Sequence, residues 1–146
     1  MSEVHMPEWE LTDSPADGDI SAIGSALAAF NHIDVGPSER RGLALLLRGD
    51  DGTVIGGLYG YTGWGWLYVQ YLFVPERLRG RGLAGRMLAA AEQEAKERGC
   101  HGAWIDTFNP EALRIYQRQG FQIFGSLAEF PAGRSRHFLQ KRFDLV

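Results

Sequence analysis

Between Val74 and Leu88 the chain reads VPERLRGRGLAGRML, and its glycines and arginines are residue types that can hold a phosphate. Gly80, Gly82 and Gly85 spell G-x-G-x-x-G, the fingerprint of a dinucleotide-binding loop. Arg79, Gly82 and Ala84 spell R-x-x-G-x-A, a pattern that serves a different nucleotide. The physical basis is shared. Glycine lets the backbone come close to an anion, and the free N–H groups of the next helical turn, with the helix dipole, point at it. A tight surface turn that carries arginines is the plain structural alternative. A second frame, Arg77-x-x-Gly80-x-Gly82, also fits R-x-x-G-x-G. The Arg79 frame is preferred because Ala84 and Gly85 then fall in the first helical turn.

The elements that must position this loop can be read from periodicity. Ile20, Ile23, Leu27 and Phe30 recur at helical spacing, which predicts an amphipathic helix capped by Asp17 or Asp19 and closed by Gly36-Pro37. GLALLLR reads as a strand and GDDGT as a hairpin turn. VIGGLYGYTGWGWLYVQYLFV reads as two long strands folded back at Thr62-Gly63. It is apolar on both faces, as expected of a sheet covered on both sides by helices. From Leu83 the period changes to four, through Met87, Ala91 and Ala95 with Leu88 beside them. That helix carries Glu92–Lys96 and Glu94–Arg98 pairs on its far side and stops at Gly99. GAWIDTF is the next strand, Pro110 opens a helix through Tyr116 to Gly120, and FQIFGSL and RHFLQKRF form a last hairpin. The order predicts one mixed α/β domain over residues 1–146.

The dinucleotide reading fails on context. Asp106 does follow Gly85 by 21 residues, near the spacing of a ribose-binding acid. However, Pro75 to Arg79 separate the loop from its strand, and that strand is the second arm of a hairpin. Only 40 residues remain after Asp106, too few for further βαβ units. Composition narrows the field again. The formal charge of −3 gives no general attraction to nucleic acid, and Arg77, Arg79, Arg81 and Arg86 have no second basic cluster to join, so no nucleic-acid partner is expected. Cys100 is the only cysteine, and His5, His32, His101 and His137 lack metal-ligand spacing, so neither a disulfide nor a metal is expected. With no signal-peptide pattern and no membrane-length apolar run, the expected location is the cytoplasm.

Two blocks carry a specific likeness. YLFVPERLRGRGLAGRMLAAAE is followed, after one helix and one strand, by NPEALRIYQRQGF. The second has N-x-x-A-x-x-x-Y-x-x-x-G-F spacing at Asn109, Ala112, Tyr116, Gly120 and Phe121. With both blocks the chain resembles the GCN5-related N-acetyltransferases (GNAT) over nearly its whole length. The resemblance implies a single-domain, mixed and mostly antiparallel sheet with helices on both faces, splayed at the strand that meets acetyl-CoA.

It also implies roles. The acetyl-CoA pyrophosphate would rest on the backbone of Gly80, Arg81, Gly82, Leu83, Ala84 and Gly85, with Arg79, Arg81 or Arg86 adding charge. The pantetheine arm would bond to backbone at Leu72, Phe73 and Val74, as an added strand does. Tyr116 would protonate the departing CoA thiolate, and the whole motif outweighs its reading as a core tyrosine. Asn109 would be a helix N-cap, a cofactor contact, or both. The position where related enzymes often carry a basic glutamate is Gln70, which cannot accept a proton. Asp106, Glu129, His137 and solvent are alternatives, although Asp106 could bond backbone at a strand end and His137 could be a core histidine. Asn31, His32, Trp64, Trp66 and Tyr68 could wall an acceptor pocket, Asn31, Trp66, Gln70 and Asp106 being the preferred contacts; aromatic walls could equally be core. The expected activity is direct acetyl transfer to a primary amine of a small molecule or peptide. A non-catalytic acyl-CoA-binding module is the rival. Oligomeric state is open, with a homodimer one option.

Overall fold

The computed structural model describes residues 3–144, which form two compact units divided between Pro37 and Ser38. The first unit contains α1 (Asp19–Val35). Its start is fixed by Gly18 in the left-handed region and by Asp19, whose Oδ2 accepts from the Ala16 N–H at 2.8 Å. Gly36 ends it. Ile20, Ile23, Leu27 and Phe30, the predicted stripe, all fall on this helix and are each more than half exposed. Ala22, Ala26, Ala28, Ala29 and Ile33 spread apolar surface around the rest of this helix, which blurs any single inward stripe.

The second unit is built on one six-stranded sheet: β1 (Arg41–Arg48), β2 (Val54–Gly63), β3 (Trp66–Phe73), β4 (Gly102–Thr107), β5 (Gln122–Ala128) and β6 (Ser135–Arg142). The spatial order is β1-β2-β3-β4-β6-β5. Every neighbouring pair is antiparallel except β3 and β4. Those two are parallel because α2 (Leu83–Glu97) carries the chain back between them. A second helix, α3 (Pro110–Arg118), follows β4. Among the described residues no helix is long and apolar enough to cross a membrane. The β2–β3 turn falls at Trp64-Gly65, two residues later than predicted. Both residues have positive φ, as a tight two-residue hairpin turn requires, and a tryptophan there gives no sequence signal.

Strand alternation sorts the sheet into two faces. Leu43, Leu58, Leu67, Val69, Ile105 and Leu139 are buried in one core with Met87, Leu88, Ala91 and Ala95 of α2. These are the helix positions that the four-residue period selects. Arg98, at the end of α2, donates to the Arg41 and Gly42 carbonyls and to Thr62 Oγ1, tying the helix to β1 and β2. On the opposite face Tyr68 stacks on Trp104, with centroids 3.9 Å apart, and Tyr61 meets Tyr68 edge-on at 5.6 Å.

One irregularity governs the middle of the sheet. Gly60 pairs with Val69 and Tyr59 with Tyr71, so Gln70 is an extra residue on β3, a β-bulge. The β3–β4 pairing ends at the same level, at Val69–Ile105, although β3 runs on to Phe73. The bulge bends β3 away from β4, and the sheet parts there as expected. Gly60 is required opposite it, because a Cβ at that position would stand 2.0 Å from the Tyr68 carbonyl oxygen. Gly60→Ala should therefore cost about 1–3 kcal/mol of folding stability, the usual range for overpacking. Urea denaturation measures this, and unaltered stability would show that β2 and β3 do not approach so closely.

Candidate active site

A cavity of about 850 Å³ opens where β3 and β4 part. Three of its walls come from three sequence features. The first is the loop after β3. A short 3-10 turn, Glu76–Leu78, leads to Arg79, whose Nε donates to the Val74 carbonyl at 2.8 Å while the guanidinium lies 5.7 Å from the Phe73 ring centroid. Arg79 thus fastens the loop to the end of its strand. Gly80 and Gly82 then adopt φ of 78° and 76°, in the left-handed region. Helix α2 begins at Leu83 with Gly82 as a cap that offers no side chain, and the first bond of the helix runs from Arg86 N to the Gly82 carbonyl. The N–H groups of Leu83, Ala84 and Gly85 therefore precede the first helical bond and have no partner within the helix. Arg79, Gly80, Gly82, Leu83, Ala84 and Gly85 all line the cavity, and Arg81 does not.

The second wall is the parted strand. Gln70, Leu72, Phe73 and Val74 line the cavity beyond the last β3–β4 pair. Gln70 is exposed, and its Nε2 donates to the Tyr71 hydroxyl over 3.5 Å.

The third wall is β4 and α3. Asn109 caps α3, its Oδ1 accepting from the Glu111 and Ala112 N–H groups at 2.9 and 3.1 Å, while Pro110 takes the first helical position. The cap role holds, and Asn109 also lines the cavity. Tyr116 lies about two turns further on, 6% exposed, with Phe121 packed at 6.4 Å between ring centroids. Burial, aided by the negative charge of Asp106, pushes the Tyr116 phenol up to about 12, so it keeps its proton through the neutral range.

Asp106, at the end of β4, does not bond backbone. Arg136 grips its Oδ1 through Nε, at 2.8 Å, and through a second guanidinium nitrogen. The Tyr68 hydroxyl donates to Oδ2 at 3.2 Å. Burial, and then the Asp106 charge, raise the Tyr68 phenol as well.

Trp66, Glu129 and His137 lie elsewhere in the second unit. Trp66 stands at the opposite end of β3, its ring against Gly102 and 5.6 Å from the Arg142 guanidinium, so it does not reach the cavity. Strand length is the reason: Gln70 is four residues along β3 from Trp66. Asn31 is on α1 in the first unit. Glu129 accepts from Gly133 N within the β5–β6 turn, and His137 Nδ1 shares a 2.7 Å hydrogen bond with Ser126 Oγ; neither lines the cavity. Sequence reasoning missed Tyr71, Phe108, Arg118 and Arg136, which do. Nothing local in GRSRHF marks Arg136, whose partner Asp106 is 30 residues away on another strand.

Comparison with known proteins agrees with this architecture. Residues 5–121 match the Acetyltransferase (GNAT) family. The chain is 50% identical to acetyltransferase Atu2258 of Agrobacterium fabrum over 134 residues, which is 92% of this chain and 96% of the relative. It is 39% identical to the blasticidin-S acetyltransferase of Streptomyces morookaense over 94 residues, 64% of this chain and 69% of the relative. A crystal structure of a candidate acetyltransferase from Agrobacterium tumefaciens superposes with a TM-score of 0.90 at 49% identity, covering 94% of this chain and all of that one. The fold is thus that of an acetyltransferase. The chain belongs to the GNAT family of acetyltransferases, which draw the acetyl group from acetyl-CoA.

The state of Tyr116 can be read from stability. Below about pH 10, its ordinary value, the phenol is protonated in both the folded and the unfolded chain, and its contribution is complete. As pH rises from there toward about 12, the unfolded chain loses the proton first and stability falls. Wild-type protein should lose stability more steeply over this window than Tyr116→Phe, as measured by urea unfolding at stepped pH. Parallel curves would mean that the phenol is open to water.

Proposed function

We propose that the protein is an N-acetyltransferase that moves acetyl from acetyl-CoA directly to a primary amine of a small molecule or peptide while both are bound. The observation that carries this reading is convergence: the first α2 residues, whose N–H groups have no partner within the helix, the parted edge of β3 and Tyr116 all line one cavity. The fit to acetyl-CoA is good. A pyrophosphate suits the N–H groups of Leu83, Ala84 and Gly85 beside the two left-handed glycines, where Cβ atoms at Gly80 and Gly82 would meet only open space. A pantetheine arm suits the stretch Leu72–Val74, past the last β3–β4 pair, by strand-like bonding. Arg79, already committed to Val74, fixes the loop's position as well as adding charge. Arg118 supplies a second cation in the cavity.

The amine nitrogen attacks the thioester carbonyl, the C–N bond forms and the C–S bond breaks. Tyr116, protonated at neutral pH, gives its proton to the departing sulfur. The Streptomyces relative acts on blasticidin S, which favours a small-molecule acceptor here as well. Turnover of acetyl-CoA against a panel of amines, with CoA titrated in parallel, tests the proposal. Tight CoA binding without transfer to any amine would make the chain a binding module instead.

Two substitutions separate the parts. Asparagine tolerates the left-handed region better than most residues, so Gly82→Asn keeps the loop while filling the space a phosphate would enter. CoA affinity should fall at least ~10-fold by calorimetry, the ~1.4 kcal/mol that one decade represents; unchanged affinity would leave the loop a mere turn. Tyr116→Phe should lower kcat by about 10²-fold with little change in CoA affinity. A normal kcat across the pH range would remove Tyr116 from the reaction.

A further inference from the structure

The cavity is better supplied with a proton donor than with a proton acceptor. Four of its lining residues bear on the question: Asp106, Glu111, Tyr116 and Gln70. Asp106 has both oxygens engaged, Oδ1 by two Arg136 N–H groups and Oδ2 by the Tyr68 hydroxyl. Glu111 also lines the cavity, but in the first turn of α3, five residues and about 7.5 Å of helix rise before Tyr116. Tyr116 holds its own proton. Gln70, at the bulge where β3 leaves β4, has an amide in place of a carboxylate.

The same mouth presents aromatic surface. Tyr71 at the end of β3 and Phe108 just past β4 line the cavity from either side of the parting, and they are 63% and 45% exposed. Two large rings left this open at the rim of a cavity offer stacking area to whatever enters.

We infer that the acceptor is a weakly basic amine carried beside an aromatic group, and that it enters the cavity already neutral. This rests on the acetyltransferase reading above and narrows its substrate class. The magnitudes decide it. An α-amino group titrates near ~8 and a lysine-like alkylamine near ~10.4, so the neutral fraction at neutral pH falls from roughly a tenth to roughly one in 2,500. Without a resident base that difference passes into kcat/KM. The nitrogen lone pair forms the new C–N bond, the C–S bond breaks, and the sulfur takes the Tyr116 proton. The surplus proton on nitrogen leaves to water, and water returns a proton to Tyr116.

The test uses phenylalaninamide, leucinamide and benzylamine as probes with the full chain and acetyl-CoA. Phenylalaninamide and leucinamide share an α-amine and differ in the ring; phenylalaninamide and benzylamine share a ring and differ in basicity. At neutral pH phenylalaninamide should exceed each of the others at least ~10-fold in kcat/KM, and kcat/KM for benzylamine should climb about tenfold per pH unit as its neutral fraction grows. Gln70→Glu should raise benzylamine kcat/KM at neutral pH at least ~10-fold by supplying the missing acceptor. Equal use of benzylamine with a flat pH profile, equal use of leucinamide, or no gain in Gln70→Glu would each overturn the inference while leaving acetyl transfer intact. Acetyl-CoA bound by calorimetry but no transfer to any probe at any pH would overturn the acetyltransferase reading and this inference with it.

Discussion

The site depends on a mismatch of one residue. Strand β3 has Gln70 where β2 has no partner for it, and this bulge sends β3 away from β4 after Val69–Ile105. A parallel pair that stayed in register to Phe73 would satisfy every backbone group along it and leave no opening. Once the pair parts, the backbone beyond Val69 has no β4 partner, and a cavity forms in the plane of the sheet rather than on its surface. The loop glycines and Tyr116 can then meet, although they arrive from two different helices.

The rest of the structure holds that opening steady. Helix α2 is pinned at its far end by Arg98 on β1 and β2 and along its length by Glu92, which bonds Lys141 Nζ at 2.9 Å. Its near end is therefore positioned by rigid packing, and Arg79 fastens the loop to Val74 from the other side. Preorganised N–H groups gain most when they need not move to meet an anion. The absence of a side-chain cap at Gly82 fits this role, since a serine or aspartate there would occupy the very donors that the loop exposes.

Much of this was legible in the sequence because it is locally encoded. The four-residue period of Leu83, Met87, Ala91 and Ala95 fixes α2, and Asn109-Pro110 marks the start of α3, since capping and helical spacing act within a few residues. The motif spacing that suggested Tyr116, Asn109 and the glycine loop brought together residues that the structure also brings together. What depends on strand register was not legible. Trp66 and Gln70 look interchangeable as neighbours on one aromatic strand, yet four residues of rise put Trp66 at the far end beside Arg142. The Trp64-Gly65 turn was misplaced because its signal rests on backbone dihedrals that tryptophan rarely adopts. The Asp106–Arg136 pair joins two strands 30 residues apart, and no short-range pattern announces it.

That pair changes how the charges of the chain should be understood. The arginines concentrated at 77, 79, 81 and 86 suggest a phosphate clamp, but only Arg79 of the four lines the cavity, and its guanidinium is partly spent on the Val74 carbonyl. The cavity's other cations, Arg118 and Arg136, come from α3 and β6. Arg136 is answered by Asp106, so the charges of that pair balance locally. A phosphate held at the glycine loop, as proposed, would meet backbone N–H dipoles and Arg79, whereas a group beside Asp106 would meet an ion pair already closed. The contrast follows from topology: the loop is built at one helix N-terminus, and the ion pair between two strands, β4 and β6, that answer each other's charges before they meet anything else.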